Sequence, residues 1–282
     1  MLTRQKSNSD NLKLYLVGVP IGNYDDMTFR AIDTLKNMNI IYCEDTRITG
    51  QLTKHFDIHT PLRSYNVMTE NDLTPSLIEE IKKGKKVAVV SDAGMPSISD
   101  PGYLAARDAA KEGIDVVVIP GVSAGITALV GSTMTTNHFY FYGFLNSKRN
   151  KRIKELETLS NIEDTIILYE APHRIKETLE DILNVLGDRY ITLARELTKH
   201  YEEYLRGNVS EILEVVEELK GEMVIILSGT TSDSITEDLN KLSLEEHYNF
   251  YLKALNDPKE AYKRVAKDLG ISKSEVYNKL NK

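Results

Sequence analysis

The 282 residues are 41% apolar and 27% charged, with a formal net charge of −7, a composition that belongs to folded globular chains and excludes disorder. A chain of this length buries roughly three quarters of the surface its unfolded form exposes, which suits two domains. No run approaches the ~18–20 consecutive apolar residues of a membrane span, and the acidic balance argues against nucleic-acid binding over the whole surface while leaving local basic patches open.

The opening residues, MLTRQKSNSDN, lack the apolar core of a signal peptide, so the expectation is a cytoplasmic protein. The single cysteine, Cys43, excludes an internal disulfide and reads as a small buried residue at the end of an apolar run. No Cys/His cluster has zinc-ligand spacing, so no metal is expected. Short β-rich runs at 13–17, 40–43, 86–91, 115–119, 139–142, 165–169, 190–194, 201–206 and 223–227 alternate with helical patterns, which predicts α/β layering.

The first run enters the loop VGVPIGN. Gly18, Gly22 and, further on, Glu44 imitate a dinucleotide fingerprint, but Pro20 removes a backbone donor and a further phosphate-contacting glycine is missing. The run at 86–91 leads into DAGMPSISDPG, where Gly94 lets the backbone approach a ligand and Pro96 stiffens the loop. Asp100 followed by Pro101 predicts an N-cap and first helical position, and Gly113 closes that helix. The continuously apolar run at 116–119 predicts an inner strand covered on both faces. It ends in PGVSAG, with Ser123 as N-cap or as a donor to a ligand. Two such loops at strand carboxyl ends predict a binding cleft.

A composition shift places a domain boundary near 130–137, ahead of the polar, basic run 146–152. Tyr140 and Tyr142 fall in a strand pattern and read as core residues. Residues 230–234 read as a linker. From Glu245 onward there are three helical patterns and no strand; residues 261–277 read helix, glycine turn, helix, and seven Lys/Arg against three Asp/Glu from Pro258 make this end basic.

Five motifs occur in order: VGVPIGN at 17–23, CEDTR at 43–47, SDAGMPSISDPG at 91–102, IPGVSA at 119–124 and YEAPHR at 169–174. With them the chain resembles the ribosomal RNA small subunit methyltransferase I branch of the tetrapyrrole methylase superfamily, over roughly residues 12–229. The resemblance implies an α/β, two-domain tetrapyrrole methylase-like fold, distinct from Rossmann-type methyltransferases. Its domains would span 12–133 and 134–229, with a small helical, basic extension over 243–282. It further implies a homodimer, S-adenosyl-L-methionine in the cleft, and 2'-O-methylation of a cytidine in the decoding region of 16S rRNA, within the small ribosomal subunit. Carried over by motif, the cofactor residues are Pro20, Asp92, Ala93, Gly94, Met95, Ile98, Ser123, Ala124, Tyr169, Glu170, Leu197 and Met223.

A ribose hydroxyl is a poor nucleophile at neutral pH, so a base or a nearby cation is needed. Glu170 is the first candidate base, with Arg47, Arg174 and Lys199 as phosphate or oxyanion partners. The basic residues Lys148, Arg149, Lys151 and Arg152, and in the tail Lys263, Arg264 and Lys267, are candidate RNA contacts. Three other readings compete: a methyltransferase acting on a tetrapyrrole or a modified protein residue, a nicotinamide-dependent oxidoreductase using Gly18, Gly22 and Glu44, and a DNA-binding regulator using the carboxyl-terminal helices.

Overall fold

A computed structural model describes residues 4–6, 9–230, 239 and 242–280. Every predicted strand run forms a strand, in two five-stranded sheets. The first sheet holds β1 (Lys13–Val17), β2 (Ile40–Cys43), β3 (Leu62–Ser64), β4 (Val87–Val90) and β5 (Asp115–Ile119) in the order β3-β2-β4-β1-β5, all parallel. Parallel strands need crossovers, and α1 (Phe29–Lys36), α2 (Thr46–His55), α3 (Glu70–Lys82) and α4 (Tyr103–Lys111) supply them. One face of the sheet packs Leu14, Leu16, Tyr42 and Val89 against Leu77, Ile81, Ala105 and Ala109. The other packs Val17, Ile41, Cys43 and Val90 against Ala31, Leu35 and Leu52. Cys43 is fully buried there, as its run predicts.

The second sheet runs β6-β7-β10-β8-β9, from β6 (Phe139–Phe144), β7 (Thr165–Glu170), β8 (Tyr190–Arg195), β9 (Glu203–Asn208) and β10 (Met223–Leu227). Its β6–β7 pair is parallel and the rest antiparallel. On one face lie α6 (Arg149–Leu159), α7 (Ile175–Leu186) and α8 (Val209–Val215). On the other, Ala128 and Leu129 of α5 (Ala124–Gly131) pack with Ile167, Ala194, Val224 and Ile226, and Ile21 from the first loop joins them. The first half of the chain thus reaches across onto the second sheet.

Several expectations need correcting. β5 is an edge strand, and its Val118 is 51% exposed, because β1 and not β5 takes the inner place beside β4. The helix after Asp100-Pro101 begins at Tyr103 with Gly102 as its cap at φ +132; Ser97 N donates to Pro101 O at 3.1 Å, so the chain folds back once more before the helix starts. Asp100 is therefore free of the capping role. β3 carries only one large apolar residue and was not predicted; β9 lies two residues later than the run at 201–206. Tyr140 is 44% exposed rather than core.

The tail forms three helices, Leu244–Leu255, Pro258–Asp268 and Lys273–Leu280, around Val265, Ala266 and Val276. Gly270 at φ +62 makes the turn between the last two. Of the predicted linker, residues 231–234 lie outside the described residues. No helix among the described residues is long and apolar enough to cross a membrane.

Candidate active site

Three loops leave the carboxyl ends of β1, β4 and β5 and are stitched together. Val19 and Gly94 exchange both backbone hydrogen bonds, at 2.9 and 3.1 Å, and Gly18 N donates to Ile119 O at 3.0 Å. A Cβ on Gly18 would stand 2.7 Å from Gly121 N, so two glycines allow backbone to pass against backbone. This explains the first loop: its glycines serve loop packing, not phosphate.

Between these loops and the second sheet lies a cavity of about 400 Å³, a size typical of small-molecule sites. Of the residues predicted for the cofactor, Asp92, Ala93, Gly94, Met95, Ile98, Ser123, Ala124, Tyr169, Glu170, Leu197 and Met223 all line it. Pro20 does not; it is buried, and Ile21 reaches the cavity in its place. Sequence reasoning missed Ser99, Asp100, Phe144, Ala171, Pro172, Glu222 and Val224.

Tyr169 joins the halves. Its hydroxyl accepts from Gly125 N at 3.0 Å and hydrogen-bonds Ser123, tying the start of α5 to β7. Phe141 and Phe144 meet its ring edge-on, with centroids at 5.2 and 5.4 Å. Ser123 holds the N-cap position of α5 without making a side-chain cap, since its hydroxyl is spent on Tyr169.

The loop wall is acidic. Burial, Glu44 and Asp92 push Asp100 up to about 7. Burial also raises Asp92 and Glu44, each reinforced by neighbouring carboxylates. Among the described residues that line the cavity there is no lysine or arginine. The dinucleotide reading fails on this point, because a pyrophosphate would face carboxylates with no cation to offset it. S-adenosyl-L-methionine fits: its sulfonium and ammonium are cations, and the apolar residues Met95, Ile98, Leu197, Met223 and Val224 suit its adenosyl part.

The catalytic candidates divide. Glu170 is sealed: its side chain has 0% exposure, Oε1 accepts from Ala171 N at 2.8 Å, and Oε2 accepts from Thr178 Oγ1 at 2.5 Å and Arg174 Nη2 at 3.1 Å. Glu170 thus meets the cavity with its side chain covered and both oxygens engaged, an arrangement that speaks for a positioning role and against the base expected of it. Arg174 does not line the cavity; its Nη2 donates to both Glu170 Oε2 at 3.1 Å and Leu145 O at 2.9 Å, while its Nε is buried without a hydrogen-bond partner among the described residues, which speaks for a part in holding Glu170 and against the expected oxyanion contact. Arg47 lies outside the cavity at the start of α2, 86% exposed and paired with Asp45 at 2.6 Å. Asp45 N in turn donates to Asp92 Oδ1 at 2.9 Å, which links Arg47 through Asp45 to a cavity-lining residue. Lys199 does not line the cavity but bonds Glu222, which does, at 2.8 Å, and Glu196 at 3.0 Å. Burial opposes its charge, but these two carboxylates outweigh it and raise its pKa.

Among the RNA candidates, Lys148, Arg149 and Lys151 are exposed around the start of α6, and Lys263, Arg264 and Lys267 are exposed on the helix Pro258–Asp268. Arg152 is a correction: it is fully buried, with Nη2 2.8 Å from Asp181 and 3.5 Å from Glu177, and serves to fasten α6 to α7.

Residues 13–213 match the family model of the tetrapyrrole (corrin/porphyrin) methylases, and the chain belongs to that family. It is thereby an S-adenosyl-L-methionine-dependent methyltransferase. The fold agrees: a crystal structure of uroporphyrin-III-C-methyltransferase from Thermus thermophilus aligns with a TM-score of 0.56 at 19% identity, over 77% of this chain and 94% of that one. More particularly, the chain is 45% identical to the ribosomal RNA small subunit methyltransferase I of Bacillus subtilis (strain 168), over 99% of this chain and 98% of that protein. The protein of the same name from Synechocystis sp. is 39% identical over 94% and 95%.

Proposed function

We propose that this enzyme transfers a methyl group from S-adenosyl-L-methionine to the ribose 2'-oxygen of a cytidine in the decoding region of 16S rRNA, on the small ribosomal subunit. The observation that carries the reading is the 45% identity, over nearly the full length, to a relative named for ribosomal RNA small subunit methylation, joined to a cation-complementing cavity of the right size. When bound, the cofactor supplies an electrophilic methyl group on a sulfonium. The chain's own part is to hold that cation against Asp92 and Asp100, to present the ribose beside Lys199, and to exclude water with Ile21, Leu197 and Met223. Orientation of this kind contributes as much as ~7–11 kcal/mol to a bimolecular step.

Arg47 at the start of α2, Lys148, Arg149 and Lys151 beside α6, and Lys263, Arg264 and Lys267 in the tail are the phosphate contacts of this reading. The domain extents 12–133, 134–229 and 243–282 go with it, as does action in the cytoplasm, where ribosomal subunits are assembled. A second copy of the chain covers the exposed apolar residues Val118, Ile126, Val130, Phe139 and Tyr140, which lie on two edge strands and the helix between them.

The test offers labelled methyl donor together with unmethylated small subunits, protein-free 16S rRNA and a uroporphyrin-type tetrapyrrole. Label entering RNA is the expected result. Label entering the tetrapyrrole alone would return the substrate to the wider family.

A further inference from the structure

We propose that Glu222, oriented by Lys199, takes the proton from the ribose hydroxyl; the assignment rests on the ribose-methylation reading above. With Glu170 sealed, the acidic side chains left on the cavity are Asp92, Asp100 and Glu222. Asp92 and Asp100 stand together on the loop wall, Asp92 already holds Asp45 N, and on the reading above this acidic side is the one that would hold the cofactor's positive charge. Glu222 is on the opposite wall, directly before Met223 at the start of β10. Its carboxylate is 75% exposed, Oε2 accepts from Lys199 Nζ at 2.8 Å, and Oε1 has no hydrogen-bond partner among the described residues.

The surroundings fix this pair in place. Glu222 N donates to Glu196 Oε1 at 3.0 Å, Glu196 N donates back to Glu222 O at 3.0 Å, and Lys199 Nζ shares that same Oε1 at 3.0 Å. The Lys199 stem lies across Gly22 of the first loop, where a Cβ would stand 2.7 Å from Cγ and Cε, so the pair sits where the two halves of the chain meet. Holding it requires strain: Glu196 and the β-branched Thr198 adopt φ of +50 and +66, and Thr198 Oγ1 is buried without a hydrogen-bond partner among the described residues. Backbone strain of this kind persists where the surrounding structure enforces it, and it clusters at functional sites.

The proton inventory closes within the chain and its substrate. The ribose O–H bond breaks as an O–H bond forms on Glu222 Oε1, and the electron pair stays on the ribose oxygen. Lys199, kept cationic by its two carboxylates, offsets the developing negative charge. The exposed carboxyl group then returns its proton to solvent.

The test compares wild type with Glu222→Gln on unmethylated small subunits, with calorimetric Kd values for S-adenosyl-L-methionine and for the subunit alongside. The expected result is a roughly 10²–10⁴-fold loss of single-turnover rate with both Kd values nearly unchanged. In Glu222→Ala, added formate should restore part of the rate, which a purely structural role would not permit. Rates close to wild type in Glu222→Gln, or a loss matched by an equal loss of either affinity, would overturn the assignment. Wild-type enzyme that methylates something other than RNA ribose would overturn the ribose reading first, and this assignment with it.

Discussion

At the scale of single residues, the cavity separates carboxylates by environment. Asp100, raised from 3.8 to about 7, binds a cationic ligand only when ionised. Calorimetric affinity for S-adenosyl-L-methionine should therefore plateau above pH 7 and weaken below it, by up to about tenfold per pH unit. Asp100→Asn should bind weakly at all pH values and lose that dependence. The same shift fixes the sign of a stability effect. The folded chain holds this proton more tightly than the unfolded one, so without ligand the Asp100 contribution to stability falls as pH rises from about 4 to 7. In urea titrations Asp100→Asn should remove that fall. Glu170 behaves in the opposite way. Glu170→Ala takes the carboxylate partner from Arg174, whose side chain is 19% exposed, and the acceptor from the buried Thr178 hydroxyl, at a cost of about 1–3 kcal/mol, and the deficit should appear in denaturation midpoints and not as a specific loss of chemistry. Wild-type stability in Glu170→Ala would contradict the positioning role.

At the scale of elements, the site is made by loops meeting, and Gly18 against Gly121 is the tightest of those meetings. Gly18→Ala pushes a methyl group into Gly121 backbone and the Met95 sulfur. It should lower stability by ~1–3 kcal/mol and weaken cofactor binding in calorimetry, whereas an unchanged Kd would show that the first loop is not coupled to the cavity. These loops were legible in the sequence because glycine and proline punctuate them, and most cofactor candidates duly line one cavity. What misled was local signal imitating something else. Asp100-Pro101 carries the signature of a helix start, yet Gly102 and the Ser97 to Pro101 bond delay the helix to Tyr103 and release Asp100 to the cavity. The apolar run at 116–119 looks like an inner strand, but strand order is decided by crossovers between distant segments. Glu170 looked reactive beside a strand end, and only the arrival of Thr178 from α7 and of Arg174 at its N-cap covers it. Glu222 had no motif of its own. Its place depends on Lys199, which is 23 residues away in sequence.

At the scale of the whole molecule, the proposed function requires a chain of net charge −7 to engage RNA through local basic surfaces, so binding should be steep in salt. Lys148→Ala combined with Lys151→Ala should reduce the slope of log affinity against log salt by about 1–2 without altering the melting temperature. Arg152→Ala should do the reverse, since its guanidinium is buried on Asp181. The exposed apolar edge formed by Val118, Val130 and Phe139 predicts a dimer in sedimentation equilibrium, and Val130→Glu should shift it to monomer.

Methyl transfer to a ribose oxygen of small-subunit rRNA can be read out by labelling unmethylated subunits and hydrolysing their RNA in alkali. A 2'-O-methyl group removes the hydroxyl that attacks the neighbouring phosphate, so label should appear in an alkali-resistant dinucleotide that begins with cytidine and comes from the decoding region. Label released as a mononucleotide would place the methyl group on a base, and unlabelled RNA beside intact cofactor binding would mean that the cavity serves another substrate.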